Sequence, residues 1–222
     1  MAPPKPLLAD RACRVLMRDR RFTPQRAQTL IQWLESDWDP LSDIAGRTLA
    51  ALGPQAFQRL FDSIPREGLP SPRAAWALSL FGSEQEKLLP AIRLWLTQST
   101  GQVQVACALA MGDLLVQRFQ QGRDVPRSDV EMCRAVMTPE VARQPAIYVH
   151  LRDLVRAEMH YRLDKTPFQA FRVNTSDGKS YDVARPDLVA VMAARVFVAF
   201  PDGRWTLLDL RQVTSLDSVH AT

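Results

Sequence analysis

The chain has 222 residues, of which 46% are hydrophobic and 23% are charged, and these are ordinary values for a soluble globular protein. Its longest strongly apolar runs, residues 188–192 and 196–200, are far shorter than the roughly 20 residues that cross a bilayer, so we expect no membrane segment. The net charge of +4 is uneven, because residues 1–26 hold seven basic and two acidic residues whereas residues 167–222 hold six of each. The basic character therefore belongs to the N-terminal segment and not to a broad surface.

The start of the chain and its cysteines bear on the cellular compartment. The first six residues, Met-Ala-Pro-Pro-Lys-Pro, lead into a charged stretch with no apolar core or cleavage site, so we expect no export signal. Three cysteines lie far apart within helical patterns: Cys13, Cys107 and Cys133. Their odd number and their spacing predict neither a disulfide framework nor a zinc site, and each is expected to be a small buried thiol. These features favour a cytoplasmic protein.

The first predicted helix carries four arginines on one stripe, at positions i, i+3, i+7 and i+10: Arg11, Arg14, Arg18 and Arg21. Such a stripe is a candidate for contacts with the phosphates of a nucleic acid, which would make binding depend on salt. The alternative is the solvated outer face of a capping helix, or pairing with acidic residues of the next helix. Aromatic residues are not interleaved with the arginines, so stacking of single-stranded bases is not indicated.

A second helix is predicted to begin at the Thr23 cap and Pro24 and to continue through Leu34. A turn is expected to follow, in which Asp37 and Asp39 lie next to tryptophans. A carboxylate beside an apolar wall is one arrangement for a general acid or base. The alternative is that these carboxylates cap the next helix.

A short pattern of small and aliphatic residues before a glycine then recurs at residues 48–53, 77–82 and 107–112. The glycines are 29 and 30 residues apart. The first two copies precede amphipathic helices, predicted at Pro54–Ile64 and Ser83–Leu96. In the third copy, by contrast, the helix could continue through the glycine at position 112. Small residues allow a close approach between helices, and at least three such pairs must stack because one pair cannot bury its apolar face alone.

This period resembles the short bacterial HEAT-like repeats, of the kind also seen in phycobilin-lyase relatives, over about residues 40–120. The resemblance implies a right-handed stack of helical pairs with an extended binding surface. Two more helices are expected in residues 126–163, with starts near Pro126, Pro139 and Pro145. On the last of them, Glu158 and Arg162 have the i,i+4 spacing of a surface ion pair.

From Pro167 the apolar period changes from 3.6 to 2. Two alternating segments around Phe171–Thr175 and Tyr181–Val183 are joined by Asp177–Gly178, which predicts a hairpin. Further strands are expected at residues 188–192, 196–200, 205–210 and 213–216. Five or six short strands are typical of a small antiparallel meander or an SH3-like half-barrel.

The motifs Pro167–Val173, Asp177–Val183 and Pro186–Leu188 resemble a small uncharacterised bacterial module of planctomycete-type genomes, where it often forms a short protein by itself. The resemblance covers residues 167–216 and implies no activity. The predicted fold class is α+β in tandem, an all-α HEAT-like stack of helical hairpins followed by a small antiparallel β module. The predicted domains are 1–164 for the helical repeat, 167–217 for the β module and 218–222 for a tail.

The sequence contains no P-loop, GxSxG, GxGxxG or zinc-ligand spacing. His150 and His160 are ten residues apart on one predicted helix, too far for a shared metal, and His220 lies in the tail. We therefore predict no catalytic residue, no metal site and no cofactor. A lyase-like or glycosylase-like activity would rest on fold analogy alone.

Two functions of different classes remain. The first is a non-catalytic interaction or scaffold protein that binds a protein partner through the helical-repeat surface, as a subunit of a larger bacterial assembly. In this hypothesis the neutral β module is a docking unit. The alternative is a nucleic-acid-binding protein that uses the arginine stripe and the groove of the stack. No membrane partner is expected, and the sequence does not predict an oligomeric state.

Overall fold

The computed structural model describes residues 21–37, 39–65, 68–81, 84–136 and 145–219. Within them, eight α-helices precede six β-strands and two short 3₁₀ helices, so the predicted class, an all-α region followed by a small antiparallel β module, is confirmed. The helices are α1 (Pro24–Leu34), α2 (Asp39–Ala51), α3 (Pro54–Asp62), α4 (Pro72–Ser79), α5 (Gln85–Gln98), α6 (Gly101–Gln120), α7 (Arg127–Val136) and α8 (Pro145–Leu163). No helix among the described residues is both long and apolar enough to cross a membrane.

The helix boundaries follow local signals in the sequence. Thr23 caps α1 as predicted, since its hydroxyl accepts a hydrogen bond of 3.2 Å from the backbone N–H of Arg26. Asp39 was expected in a turn, but it is the first residue of α2. Its neighbour Pro40 is suited to this position because a first-turn N–H has no intrahelical acceptor.

The recurring glycines occupy different structures. Gly53 has φ of 82° between α2 and α3, a left-handed conformation that glycine adopts without steric cost. Gly112, by contrast, lies inside α6, which runs on to Gln120, so the third copy of the pattern does not end a helix. Gly82 lies outside the described residues.

The chain divides into two compact units, Met1–Leu114 and Leu115–Thr222, and the division falls within α6. In the first unit, α1 packs against α2 and α3, while α2 packs against α3 and α4. Contacts between alternate helices are what stacked helical pairs require. The likeness to HEAT-like repeats and the domain limits drawn at residues 164 and 167 both rest on sequence pattern alone and stay predictions.

Two features of the first unit depend on residue size. Four aromatic side chains form a cluster with ring centroids 5.5–5.9 Å apart: Phe57, Phe61, Phe81 and Trp95. In α2, Gly46 faces α4 so closely that a Cβ atom on it would lie 2.4 Å from Cζ3 of Trp76. This glycine is therefore required for the spacing of the two helices.

The second unit contains the β module. Its strands are β1 (Phe171–Thr175), β2 (Ser180–Val183), β3 (Val189–Val191), β4 (Arg195–Ala199), β5 (Trp205–Asp209) and β6 (Val213–Ser218). They form two antiparallel three-stranded sheets, in the orders β2-β1-β6 and β3-β4-β5. The Asp177–Gly178 turn joins β1 to β2 as predicted, and hydrogen bonds from Lys179 and Thr175 hold the pKa of Asp177 at about 2.

The core of this module includes a helix. Val155 and Met159 on α8 are fully buried in the same cluster as the inward residues of the strands, which include Phe171, Val173 and Val196. The alternation of buried and exposed residues along β1 sends one side of the strand into this core. The β strands therefore do not enclose their core without α8.

Replacing Gly46 with alanine is expected to lower the free energy of unfolding by about 1–3 kcal/mol, because Trp76 must move to admit the methyl group. At an unobstructed helical position the same substitution would stabilise the protein by up to about 1 kcal/mol. Urea denaturation measures whether the substitution lowers or raises the free energy of unfolding. Trp76→Leu serves as the control, since it should remove most of the cost of Gly46→Ala in the double variant.

Candidate partner-binding surface

The predicted arginine stripe falls largely outside the described residues, which include Arg21 but not Arg11, Arg14 or Arg18. Arg21 is exposed ahead of α1, and its carbonyl oxygen accepts a hydrogen bond of 3.1 Å from the guanidinium of Arg26. The phosphate contacts assigned to the stripe, and the nucleic-acid binding that depends on them, stay predictions.

The acidic pair near α1 is arranged as a helix start. The carboxylate of Asp39 is 92% exposed and lies 3.0 Å from the guanidinium of Arg73, which also donates to the carbonyl of Ser36. Asp37 is exposed as well. The carboxylate of Asp39 lies in the first turn of α2, where it interacts favourably with the helix dipole. The capping of α2 by these carboxylates stays a prediction. Neither side chain is enclosed by an apolar wall.

The described residues contain no group of three or more histidine, cysteine, aspartate or glutamate side chains placed to hold a metal ion. His160 is exposed on α8. Cys107 and Cys133 are buried thiols, as predicted, while Cys13 lies outside the described residues. Burial raises the pKa of Cys107 to about 11, although a hydrogen bond with Ser99 acts in the opposite direction. A thiol in this state is a poor nucleophile at neutral pH.

The first unit has a groove of about 530 Å³ between the end of α3 and the outer side of α5. Leu94 projects from α5 with 54% of its surface exposed. The floor is formed by the ring of Phe61, which lies 5.9 Å from that of Trp95 and belongs to the aromatic cluster. The described residues that line it are Phe61, Asp62, Ile64, Pro65, Ala91, Leu94 and Trp95.

Among the described residues that line this groove, Asp62 is the charged one. It accepts a hydrogen bond of 2.7 Å from the side-chain amide of Gln58, one turn earlier on α3. The other described lining residues have apolar side chains, so the described part of the groove combines apolar contacts with the carboxylate of Asp62. This combination is typical of a surface that binds another protein.

A second polar group in the structure is a buried ion network. The carboxylate of Glu158 on α8 is only 7% exposed and receives hydrogen bonds from two arginines. Arg134 of α7 donates at 3.1 Å, and Arg162 of α8 donates from two nitrogens at 3.1 and 3.0 Å. The expectation that Glu158 and Arg162 form a surface pair is therefore wrong, because α7 and the β module cover them.

The same two arginines also bind the edge of β6. Arg134 donates to the carbonyl of Thr214 at 2.7 Å, and Arg162 donates to the carbonyl of Leu216 at 2.7 Å. These carbonyls are two residues apart and point away from β1, to which β6 is paired on its other side. Burial lowers the pKa of Arg134, and Glu158 opposes that shift. The network closes a sheet edge, and the Nε atom of Arg134 is buried with no hydrogen-bond partner among the described residues.

No protein-family model matches this chain, and neither a curated protein nor a solved structure matches it. The geometry of the two units therefore carries the functional argument. Within the described residues, the apolar groove between α3 and α5 is the feature best suited to hold a macromolecular partner.

Replacing Glu158 with alanine is expected to lower the free energy of unfolding by about 3–5 kcal/mol, because two buried guanidinium groups would lose their carboxylate. Chemical denaturation of the full chain measures this loss. Glu131→Ala is the matched control on an exposed i,i+4 pair with Arg127, and it should cost less than about 1 kcal/mol. Equal losses for the two variants would contradict a structural role for the network.

Proposed function

We propose that this protein is a non-catalytic interaction protein that binds a protein partner in the groove between α3 and α5. The exposed Leu94 above the fixed Phe61 and Trp95 rings is the observation that carries the proposal. Burying apolar surface of this kind is the main source of affinity between proteins. Such a surface favours a binding role, since its described lining consists of apolar side chains and the carboxylate of Asp62.

The groove suits one short helical segment of the partner. On α5 it is lined by Ala91, Leu94 and Trp95, which span little more than one helical turn, so the partner helix would contact it over one to two turns. Apolar side chains at positions i, i+3 or i+4, and i+7 of the partner would contact Leu94 and Ile64. A lysine or arginine beside them would face Asp62, the anionic position of the groove.

The wider setting of the protein is part of the proposal. A helical unit with one binding groove and a separate β module is suited to a scaffold role in a larger bacterial assembly. The buried thiols of Cys107 and Cys133 are consistent with the reducing environment of the cytoplasm. The fold of the first unit then serves to keep the groove rigid before binding.

The test uses a photoreactive amino acid at position 94 to cross-link the partner in the native host, followed by binding of the cross-linked segment as a purified peptide. Leu94→Glu should weaken that binding at least about tenfold, because the new carboxylate would be buried without a counterion. Leu69→Glu is the control, since Leu69 is also exposed in this unit but does not line the groove.

Charge reversal gives a second readout at the same groove. Asp62→Lys should weaken binding of the peptide. Replacing the basic peptide residue that faces this position by glutamate should restore the affinity. Binding that is unchanged by both Leu94→Glu and Asp62→Lys would contradict the proposed surface.

A further inference from the structure

The second unit has a cavity of about 500 Å³ that the proposed function does not use. It lies between the C-terminal end of α6, one face of α8 and the turn that joins β3 to β4. The described residues that line it from α6 and from this turn include the apolar side chains of Phe119, Val191 and Met192. The volume is within the range of about 300–1,000 Å³ that is typical of sites for small molecules.

The apolar side of the cavity has a buried part and an exposed part. Phe119 is only 6% exposed, and the centroid of its ring lies 5.2 Å from that of Tyr161. Met192, by contrast, is 43% exposed. Because methionine has three rotatable bonds and a polarizable sulfur, its side chain adapts to the shape of a ligand. This side of the cavity is therefore suited to the apolar body of a small molecule.

The polar side of the cavity is one face of α8. Asp153, Arg156 and His160 are three and four residues apart, so they lie on the same face of the helix. Asp164 continues this face by one more turn, since its backbone N–H donates to the carbonyl of His160 at 2.9 Å. Val155, on the other side of α8, is in the core of the β module. The helix therefore separates that core from the cavity.

Arg156 has unused hydrogen-bond donors at this cavity. Its guanidinium makes no hydrogen bond to a described residue, and its ion pair with Asp153 has an N–O distance of 3.6 Å, which is too long for a hydrogen bond. The same oxygen of Asp153 accepts two hydrogen bonds from Arg152, at 3.1 and 3.0 Å. A guanidinium carries five donors in a planar arrangement that matches a carboxylate. Arg156 can therefore bind a second carboxylate, brought by a ligand.

His160 provides a further donor one turn after Arg156. Its ring is exposed and has no hydrogen bond to a described residue, and a neutral imidazole carries one N–H donor. Asp164 is eight residues from Arg156, which is about 12 Å along the helix at a rise of roughly 1.5 Å per residue. Its carboxylate therefore lies towards the far end of this face and does not compete for the guanidinium.

These charges favour an anionic ligand over a cationic one. A carboxylate at Arg156 would gain donors from a half-buried guanidinium and from the neighbouring His160. An ammonium group at Asp164 would gain one carboxylate that is open to solvent. Interactions between charges are weaker at exposed positions, because water screens them.

We propose that this cavity binds a small organic acid, whose carboxylate is held by Arg156 and whose apolar body lies against Phe119 and Met192. One or two polar groups that orient a ligand in an otherwise apolar cavity are the usual composition of such a site. The bond between guanidinium and carboxylate is charge-assisted and can be bidentate, so it selects the head group. This inference does not rest on the groove of the first unit, because all the described lining residues belong to the second unit.

Titration of the full chain with octanoate, octanol and octylamine, followed by amide NMR, tests the proposal, because these probes share one chain and differ only in the head group. Octanoate should shift the amide signals of His160 and Met192 and should bind at least about tenfold more tightly than octanol or octylamine. Arg156→Gln should remove this advantage and leave the affinity for octanol unchanged, which also reports that the cavity is intact. Arg204→Gln is the control, since Arg204 is an exposed arginine of the same unit that does not line the cavity.

Filling the cavity gives a second readout that does not depend on charge. Ala193 is exposed and lines the cavity, so the indole of Ala193→Trp would occupy the space of the ligand without entering the core. This variant should weaken octanoate and octanol alike. An absence of shifts with octanoate would overturn the proposal, as would octanol or octylamine that binds as tightly as octanoate. An advantage of octanoate that survives Arg156→Gln, or binding that Ala193→Trp leaves unchanged, would overturn it as well.

Discussion

The buried carboxylate of Glu158 holds the second unit together, because it fixes two guanidinium groups that in turn bind the edge of β6. Each component would be unfavourable alone. A buried carboxylate needs cationic partners, and Arg134 needs both Glu158 and the Thr214 carbonyl to offset its desolvation. Since Glu158 lies one residue before Met159, the same turn of α8 supplies both the ion network and a core residue of the β module.

This arrangement explains why two strand edges of the β module differ in how far they are covered. The arginines cover β6, whereas nothing among the described residues covers the backbone edge of β5. The module therefore has one closed edge tied to helices and one open edge. In the other unit, the groove beside Leu94 is an apolar surface of a different kind, suited to a helix. The binding proposed for this groove requires no reactive group.

Local features of the fold were predictable from the sequence, and contacts between distant residues were not. The Thr23 cap, the alternation along β1 and the Asp177–Gly178 turn each depend on a few neighbouring residues. Glu158 and Arg162 have the same i,i+4 spacing whether a pair is exposed or buried. The carbonyl that binds Arg134 lies 80 residues further along the chain, so no local pattern could place it. The groove residues likewise meet only when α3 and α5 pack.

The β strands need α7 and α8 to complete their core and to close β6. Thermal unfolding and amide NMR spectra of two fragments, residues 126–219 and residues 167–219, test this dependence. The longer fragment should unfold in one cooperative transition with well-dispersed amide signals. The shorter fragment should show neither, because it lacks the core residues Val155 and Met159. It also lacks Glu158 and the two arginines that bind it. A shorter fragment that folds cooperatively with equal stability would contradict the account.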